Sequence, residues 1–396
     1  MRRPAPASPE PITTVPGFRP LLAMSALGFA GYALLLPSVP LWAVRGGADE
    51  GGAGLVNAVL MLATVLTQTT VPTALRRIGW RPVLIAGVLL LGVPSLLFMT
   101  TDQLPWLLAL SAVRGTGFAI LTVCGSSAVA ALVDGPRHGR AIGLYGLSIA
   151  FPQLVLVPSA AWIADLDFRV AFTLGALPAL AVPFAAALGR RLDRLDAEET
   201  EEASATAGPG RGRVVLALVM PSLVLLAVTT PGGALLTFAP QFAGAALAVA
   251  GLLAFTGTTA LSRWGIGSFA DRYGPRVFMA PLLAVCAAGL VLCAWAVADG
   301  GTRPVVLVLG MALVGTAYGS LQNLTLVAAF AAVPQRAHST ASAVWNIGFD
   351  AGTGLGSLVV GFVAAGTSFS VGLLTTAVVC VVAAGAVLAV RGRTAR

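Results

Sequence analysis

Two charged side chains lie inside long apolar stretches of this sequence, where burying a charge costs free energy and therefore points to a functional role. Arg114 interrupts the stretch 105–132, and Asp350 interrupts the stretch 340–364. A buried carboxylate can take up and release a proton, and a nearby arginine can modulate that step or receive an anion. The alternative for Asp350 is a structural acid that ties its helix to a neighbour.

Other polar residues are spaced so that they share one helix face with Asp350. At 100° per residue the stripe comprises Ser339, Asn346, Asp350, Thr353 and Ser357. Asn346 and Thr353, one turn to either side, are placed to hydrogen-bond the carboxyl group. Glycines recur every four residues on the opposite face, at Gly348, Gly352 and Gly356. Such a ladder of small residues predicts close packing against another helix.

The stretches that carry these residues are predicted to cross a membrane. Hydrophobic residues make up 57% of the chain and charged residues 10%, with a mean hydropathy of +0.90. A soluble globule cannot hide such a composition. A span needs about 20 apolar residues, so 396 residues leave room for about twelve spans. We therefore expect an all-α integral membrane protein with twelve transmembrane helices.

The apolar runs divide the chain into two halves. The expected spans are 20–44, 52–71, 82–100, 105–132, one from 139 that ends before Asp165, one closing near 188, 214–242, 245–266, 277–298, 304–332, 340–364 and 369–390. We expect a disordered cytoplasmic tail over 1–18, which is not a signal peptide, six-helix bundles over 19–189 and 214–390, a cytoplasmic linker over 190–213, and a short C-terminal tail over 391–396.

The basic residues fix the expected orientation. All of the 24 basic residues are arginines, and twenty of them fall on one side if both termini are cytoplasmic. This asymmetry follows the positive-inside rule. It explains the net charge of +8 without a nucleic-acid partner. We expect a multi-pass protein of a bacterial plasma membrane, with the lipid bilayer as its surroundings and a monomeric state.

A charged loop occurs twice, about half a chain apart. Residues 267–276 read GSFADRYGPR, and residues 72–81 read PTALRRIGWR. The later loop, with Gly267, Asp271 and Arg272, resembles the signature loop of the major facilitator superfamily of transporters. The resemblance implies two pseudo-symmetric six-helix bundles and a cytoplasmic gate made by these loops. The expected gate residues are Asp271, Arg272, Arg276, Arg140, Arg76 and Arg77.

A second short motif also resembles that superfamily. Arg114-Gly115-Thr116-Gly117 is similar to a motif of the fourth helix that is associated with proton coupling. Together with the carboxylate deep in the eleventh span and the amide one turn before it, this gives Asp350, Arg114 and Asn346 as the coupling candidates. The fifth helix departs from the drug-antiporter pattern and keeps only Gly146 and Pro152. The fifth helix therefore adds little to the expectation of export by antiport, which rests on the other motifs.

The two halves are interrupted at matching depths. Pro37 in the first span and Pro231 in the seventh both lie some 25 Å from the cytoplasmic start, at about 1.5 Å per residue. Breaks at corresponding places of two repeats point to the moving parts of a transporter. We interpret them as an outer gate, and an ordinary proline kink repacked by its neighbours is the alternative.

These features predict a secondary transporter that works by alternating access, moves a small organic solute and exports drug-like or secondary metabolites against protons. The alternatives are a proton-coupled uptake symporter and a membrane sensor that does not transport. No catalytic cluster, metal site, cofactor or ATP-binding motif is expected, so the protein is not predicted to be an enzyme. The expected cavity residues are Tyr32, Arg114, Thr122, Thr237, Gln241, Tyr318, Gln322 and Asn323.

Overall fold

The computed structural model describes residues 11–133, 137–200, 211–298, 302–334 and 338–394. In this part of the chain the regular elements are all helical. Twelve of the segments are long and apolar enough to cross a membrane, which confirms the expected number of spans. We call the face with the arginine-rich loops inner and the opposite face outer.

The first half contains eight α-helices because the sixth span is subdivided and a separate short helix lies between the second and third spans. They are α1 (Phe18–Arg45), α2 (Glu50–Gln68), α3 (Val71–Ile78), α4 (Trp80–Leu97), α5 (Leu104–Leu132), α6 (His138–Leu166), α7 (Phe168–Gly175) and α8 (Val182–Thr200). Asp49 caps α2, since its carboxylate accepts the Gly52 N–H at 2.7 Å. A 3₁₀ segment, Leu177–Ala181, joins α7 to α8, so these pieces form the sixth span together.

The second half has one continuous helix for each span. They are α9 (Arg211–Ala243), α10 (Ala245–Tyr273), α11 (Arg276–Ala296), α12 (Pro304–Ala331), α13 (His338–Gly366) and α14 (Phe369–Thr394). Glycine allows the tightest turns: Gly244 stands between α9 and α10 with a φ of 70°. The helices α1 and α9 continue through their internal prolines.

The two signature loops share a glycine with a positive φ and differ in where the preceding helix ends. Gly79 and Gly274 both have a φ of 81°. Gly79 immediately precedes α4, and Gly274 immediately precedes Pro275, the residue before α11. The expectation of a charged turn over 267–276 is wrong in extent, because α10 stays helical to Tyr273 and turns only at Gly274 and Pro275. In the first half α2 ends at Gln68, and a separate helix, α3, follows with Pro72 in its first turn.

The sixth span also continues beyond its expected end near residue 188. α8 runs to Thr200, and its acidic residues contact the start of α4. The Asp193 carboxylate accepts the Trp80 backbone N–H at 2.7 Å, and Asp196 accepts the Trp80 indole N–H at 2.7 Å. The first turn of a helix has free N–H groups, which is why carboxylates are favourable there. Part of the expected linker is therefore an ordered cap.

Candidate functional site

The two halves meet most closely toward the outer face. Every residue of α1 from Gly28 to Pro40 is buried, and so is every residue of α9 from Ala227 to Pro240. A helix that is buried all round is enclosed by other helices. Closer to the inner face both helices have accessible residues, such as Arg19 and Leu223. This is the burial pattern of a bundle that is closed on its outer side.

Asp350 lies at the contact between the halves, in the middle of α13. It is 3% exposed, and its Oδ2 accepts a hydrogen bond from Nε2 of Gln68 in α2 at 2.6 Å. The same Gln68 nitrogen is 3.4 Å from Oγ1 of Thr122 in α5. Oε1 of Gln68 is buried without a partner. The carboxylate of the second half is thus held by an amide of the first half.

Asn346 and Thr353 of the polar stripe bond elsewhere, and the side chain of Ser339 is outside the described residues. Asn346 donates to the Ser342 carbonyl at 2.9 Å and Thr353 to the Phe349 carbonyl at 2.9 Å, both within α13. The expectation that these two side chains hold the Asp350 carboxyl is wrong. Helix carbonyls one turn earlier are the nearest acceptors for such short side chains.

The glycine ladder of α13 packs as expected. A Cβ at Gly352 would collide with Thr229 of α9, and a Cβ at Gly356 would collide with the Thr230 carbonyl oxygen. The ladder therefore allows α13 and α9 to approach backbone to backbone.

A second polar contact between the halves lies nearer the outer face. Nδ2 of Asn57 in α2 donates to the Leu36 carbonyl at 2.7 Å and to Oγ1 of Thr237 in α9 at 2.9 Å. Thr237 and Ser357 of α13 share a hydrogen bond of 2.7 Å. We call Asn57, Thr237, Ser357 and the Leu36 carbonyl the outer polar cluster. All three side chains are buried, so the loss of any one of these hydrogen bonds would leave a buried polar group without a partner and lower stability.

The helix prolines explain why some of these acceptors are free. Pro40 has no N–H, so the Leu36 carbonyl four residues earlier lacks its helical partner and Asn57 supplies one. Pro231 likewise frees the Ala227 carbonyl, which accepts the Cys380 thiol at 3.4 Å. Neighbouring helices thus supply hydrogen-bond donors for the carbonyls that Pro40 and Pro231 leave free.

The centre of the bundle is lined by aromatic residues from both halves. Tyr32 of α1 stacks on Phe118 at 4.0 Å between ring centroids. Tyr318 of α12 lies 5.1 Å from Phe255 and 6.1 Å from Phe349. The two tyrosines and the Asp350 charge are within electrostatic range of one another. These rings form the apolar wall beside the carboxylate.

Arg114 does not contact Asp350. It is 1% exposed, its Nε donates to the Leu91 carbonyl of α4 at 3.3 Å, and its guanidinium lies 5.7 Å from the Phe98 ring centroid. Nη2 is buried without a partner. The glycines of its motif serve packing, since Gly115 meets the Leu60 carbonyl of α2 and Gly117 meets the backbone of α4. In this structure Arg114 holds α5 against α4.

A different arginine reaches the central wall. Nη1 of Arg263 in α10 donates to Oε1 of Gln322 in α12 at 3.1 Å, and Nδ2 of Asn323 donates to the Arg263 carbonyl at 2.8 Å. Gln322 is buried, whereas Arg263 is exposed. Arg263 is one of the twenty arginines assigned from the sequence to the cytoplasmic side, although it lies inside the expected span 245–266. Its position within that span was the signal that could have singled it out.

The remaining expected site residues lie apart from this centre. Gln241 is in the closed outer part of α9, with Nε2 buried and unpartnered. The Arg76 guanidinium bonds Thr73 of its own helix at 3.1 Å, and the Arg272 guanidinium stacks on Tyr273 at 5.2 Å. The other described gate arginines, Arg77, Arg140 and Arg276, are exposed. The side chain of Asp271 is outside the described residues.

Gln68 and Asn57 were missed by sequence reasoning. Each is an uncharged amide in the second span, and an amide inside an apolar helix signals an interhelical hydrogen bond. Which helix an amide would bond was not readable from its position.

This architecture is that of a membrane protein with twelve spans in two halves. The sequence profile of the Major Facilitator Superfamily matches residues 21–265, and the chain belongs to that family. It is therefore a secondary transporter of a small solute and not an enzyme. Comparison with curated protein sequences gives no match.

Solved structures of the same fold are similar over almost the whole chain. A bacterial homologue of the human lysosomal transporter Spinster, inward-facing and unoccupied, has a TM-score of 0.75 at 13% identity, with 96% of each chain covered. A point mutant of the peptide transporter POT, in complex with sulfate, has a TM-score of 0.75 at 14% identity, covering 96% of this chain and 95% of that one. The nucleoside transporter NupG has a TM-score of 0.70 at 16% identity, covering 94% and 98%. These likenesses confirm the expected twelve-helix fold.

Proposed function

We propose that this transporter exports small, drug-like or secondary metabolites in exchange for protons, with Asp350 as the proton-binding group. The observation that carries the proposal is the hydrogen bond of 2.6 Å between the Asp350 carboxylate and Gln68 of the other half. Uptake with protons uses the same group and is the second candidate. Only the direction of coupling separates the two.

The bond to Gln68 makes the state of Asp350 depend on how the halves meet. An ionised carboxylate is costly in a bilayer, and the Gln68 N–H stabilises it here. A protonated carboxyl can instead donate to Oε1 of Gln68, which has no other partner. When the halves separate along α2 and α13, Asp350 loses either contact. Its proton affinity then differs between the two conformations, which is what coupling requires.

The groups around Asp350 are compatible with this role. Tyr32 from α1 and Tyr318 from α12 are titratable groups within electrostatic range of Asp350, the charge of Arg114 from α5 acts on Tyr32, and the charge of Arg263 from α10 acts on Tyr318. Gln68 and Thr122 supply neutral polar contacts from α2 and α5. Arg114 bonds α4, so it supports coupling through the position of α5 and through its charge on Tyr32, without contacting Asp350.

Flux through purified protein in proteoliposomes tests the proposal. A panel of dye-like solutes is offered under imposed pH gradients of both signs, with a zero-gradient control. Exchange predicts that solute moves opposite to the protons, whereas uptake predicts movement with them. Flux that ignores both gradients would remove the coupling role, and an absence of flux for every solute would favour a sensor.

A further inference from the structure

The guanidinium of Arg263 is the accessible cation of the central wall. It extends from α10 to Gln322 of α12, and its charge acts on the Tyr318 hydroxyl. Gln322 is 4% exposed and Tyr318 is 5% exposed, so both are part of the packed interior. Arg263 is exposed nonetheless, and since a charge within a span is costly against lipid, we infer that its exposed side faces water.

The charge of Arg263 has no acidic partner among the described residues. The hydrogen bonds of its side chain and backbone go to two neutral amides, Gln322 and Asn323. Asp350 bonds Gln68 instead. A guanidinium presents five donors in a planar fork that matches a carboxylate, and one bond to Gln322 leaves most of that fork free. The amide of Gln322 orients the fork without neutralising it.

The surroundings of Arg263 favour an apolar body next to the anionic group. Tyr318, Phe255 and Phe349 form one connected group of rings, and Trp345 stacks on Phe349 at 5.7 Å. Phe349 is the half-buried ring of this group, and an accessible aromatic ring binds flat apolar surfaces well. Arg114 cannot provide the anion site, because it is buried against α4.

We propose that Arg263, oriented by Gln322, binds the carboxylate of an organic anion whose ring system packs against the half-buried ring of Phe349. This inference rests on the proposed transport function, since it names the class of solute. Asp350 then remains free for the proton, and the anion and the proton occupy different residues of the second half.

Matched ligand pairs test the assignment on the full-length protein in detergent. The probes are indole-3-acetate with indole-3-acetamide and 2-naphthoate with 2-naphthamide, and their dissociation constants are measured by calorimetry. Each pair shares its rings and differs in charge. We expect the carboxylate to bind at least 10-fold more tightly than the amide in one or both pairs, because a charged hydrogen bond is stronger than a neutral one.

Variants locate the preference. Arg263→Gln should reduce the ratio within a pair to about one while leaving amide binding unchanged, and Arg263→Lys should keep part of the preference. Gln322→Glu retains Arg263 but gives it an internal carboxylate, so it should also abolish the preference. Arg169→Gln, at an exposed outer arginine, is the matched control and should behave like the parent.

Each result has a defined meaning. A parent protein with no carboxylate preference in either pair, or an Arg263→Gln variant that keeps it, overturns the assignment. If Arg263→Gln does not fold, the Gln322→Glu result decides in its place. Proton-driven flux without carboxylate preference sinks this inference alone, and carboxylate preference without proton-driven flux sinks only the proposed function.

Discussion

The outer polar cluster should stabilise the outer-closed conformation, and Asn57→Leu measures by how much. The replacement removes two hydrogen bonds, of 2.7 and 2.9 Å, and leaves a group of similar size. The Leu36 carbonyl then has no partner in the closed state, because Pro40 supplies no N–H. Thr237 keeps its bond to Ser357.

The expected magnitude follows from these losses. One buried carbonyl left without a donor and one ordinary bond lost together cost about 2 kcal/mol. In the outer-open state water can reach the same groups, so the penalty falls on the closed state alone. A shift of about 2 kcal/mol changes the closed-to-open ratio roughly 30-fold.

Cysteine labelling from the outer side provides the assay. Ser38 is 1% exposed in the closed outer part of α1, and the native cysteines are buried, so Ser38→Cys gives a reporter with a low background. While the open form is the minor one, the rate of reaction with a membrane-impermeant maleimide follows its population. Asn57→Leu should raise that rate roughly 30-fold.

The control lies on the same helix but inside one half. Thr64 in α2 donates to the Leu60 and Gly115 carbonyls at 2.9 and 3.0 Å, both in the first half. Thr64→Val should lower thermal stability and leave the labelling rate near that of the parent. The reasoning is refuted if Asn57→Leu leaves the rate unchanged or if Thr64→Val raises it equally.

Three further outcomes are expected. Asp350→Asn keeps a hydrogen-bonding partner for Gln68, so it should fold and bind solute but lose the dependence of flux on the pH gradient; a variant that still concentrates solute on that gradient ends the coupling role. Replacing Pro37 and Pro231 together by alanine should slow turnover more than it weakens binding, measured by stopped-flow and calorimetry, and the reverse order would mean that these prolines shape the site. Asp193→Ala removes the cap of α4, so the free energy of unfolding should fall by about 0.5 to 2 kcal/mol in a denaturant titration, with solute affinity unchanged.

The sequence by itself determined the membrane class, the number of spans and the duplication. These depend on local composition and on repeated motifs, and the shared φ of 81° at Gly79 and Gly274 shows the repeat in the backbone. The ladder of glycines in α13 was also readable, because helical periodicity places them on one face. Asp350 was singled out for the same reason, since a charge in an apolar run needs no structure to be noticed.

Tertiary structure alone decided which residue each polar group meets. Gln68 and Asp350 are 282 residues apart, and Asn57 and Thr237 are 180 apart, so their pairing depends on how the two halves dock. Packing inside each half turned Arg114 toward α4 and Arg263 toward Gln322 of α12. Helical periodicity fixes the face of a side chain, but the neighbour of that face is set by the packing of whole helices, which short motifs do not encode.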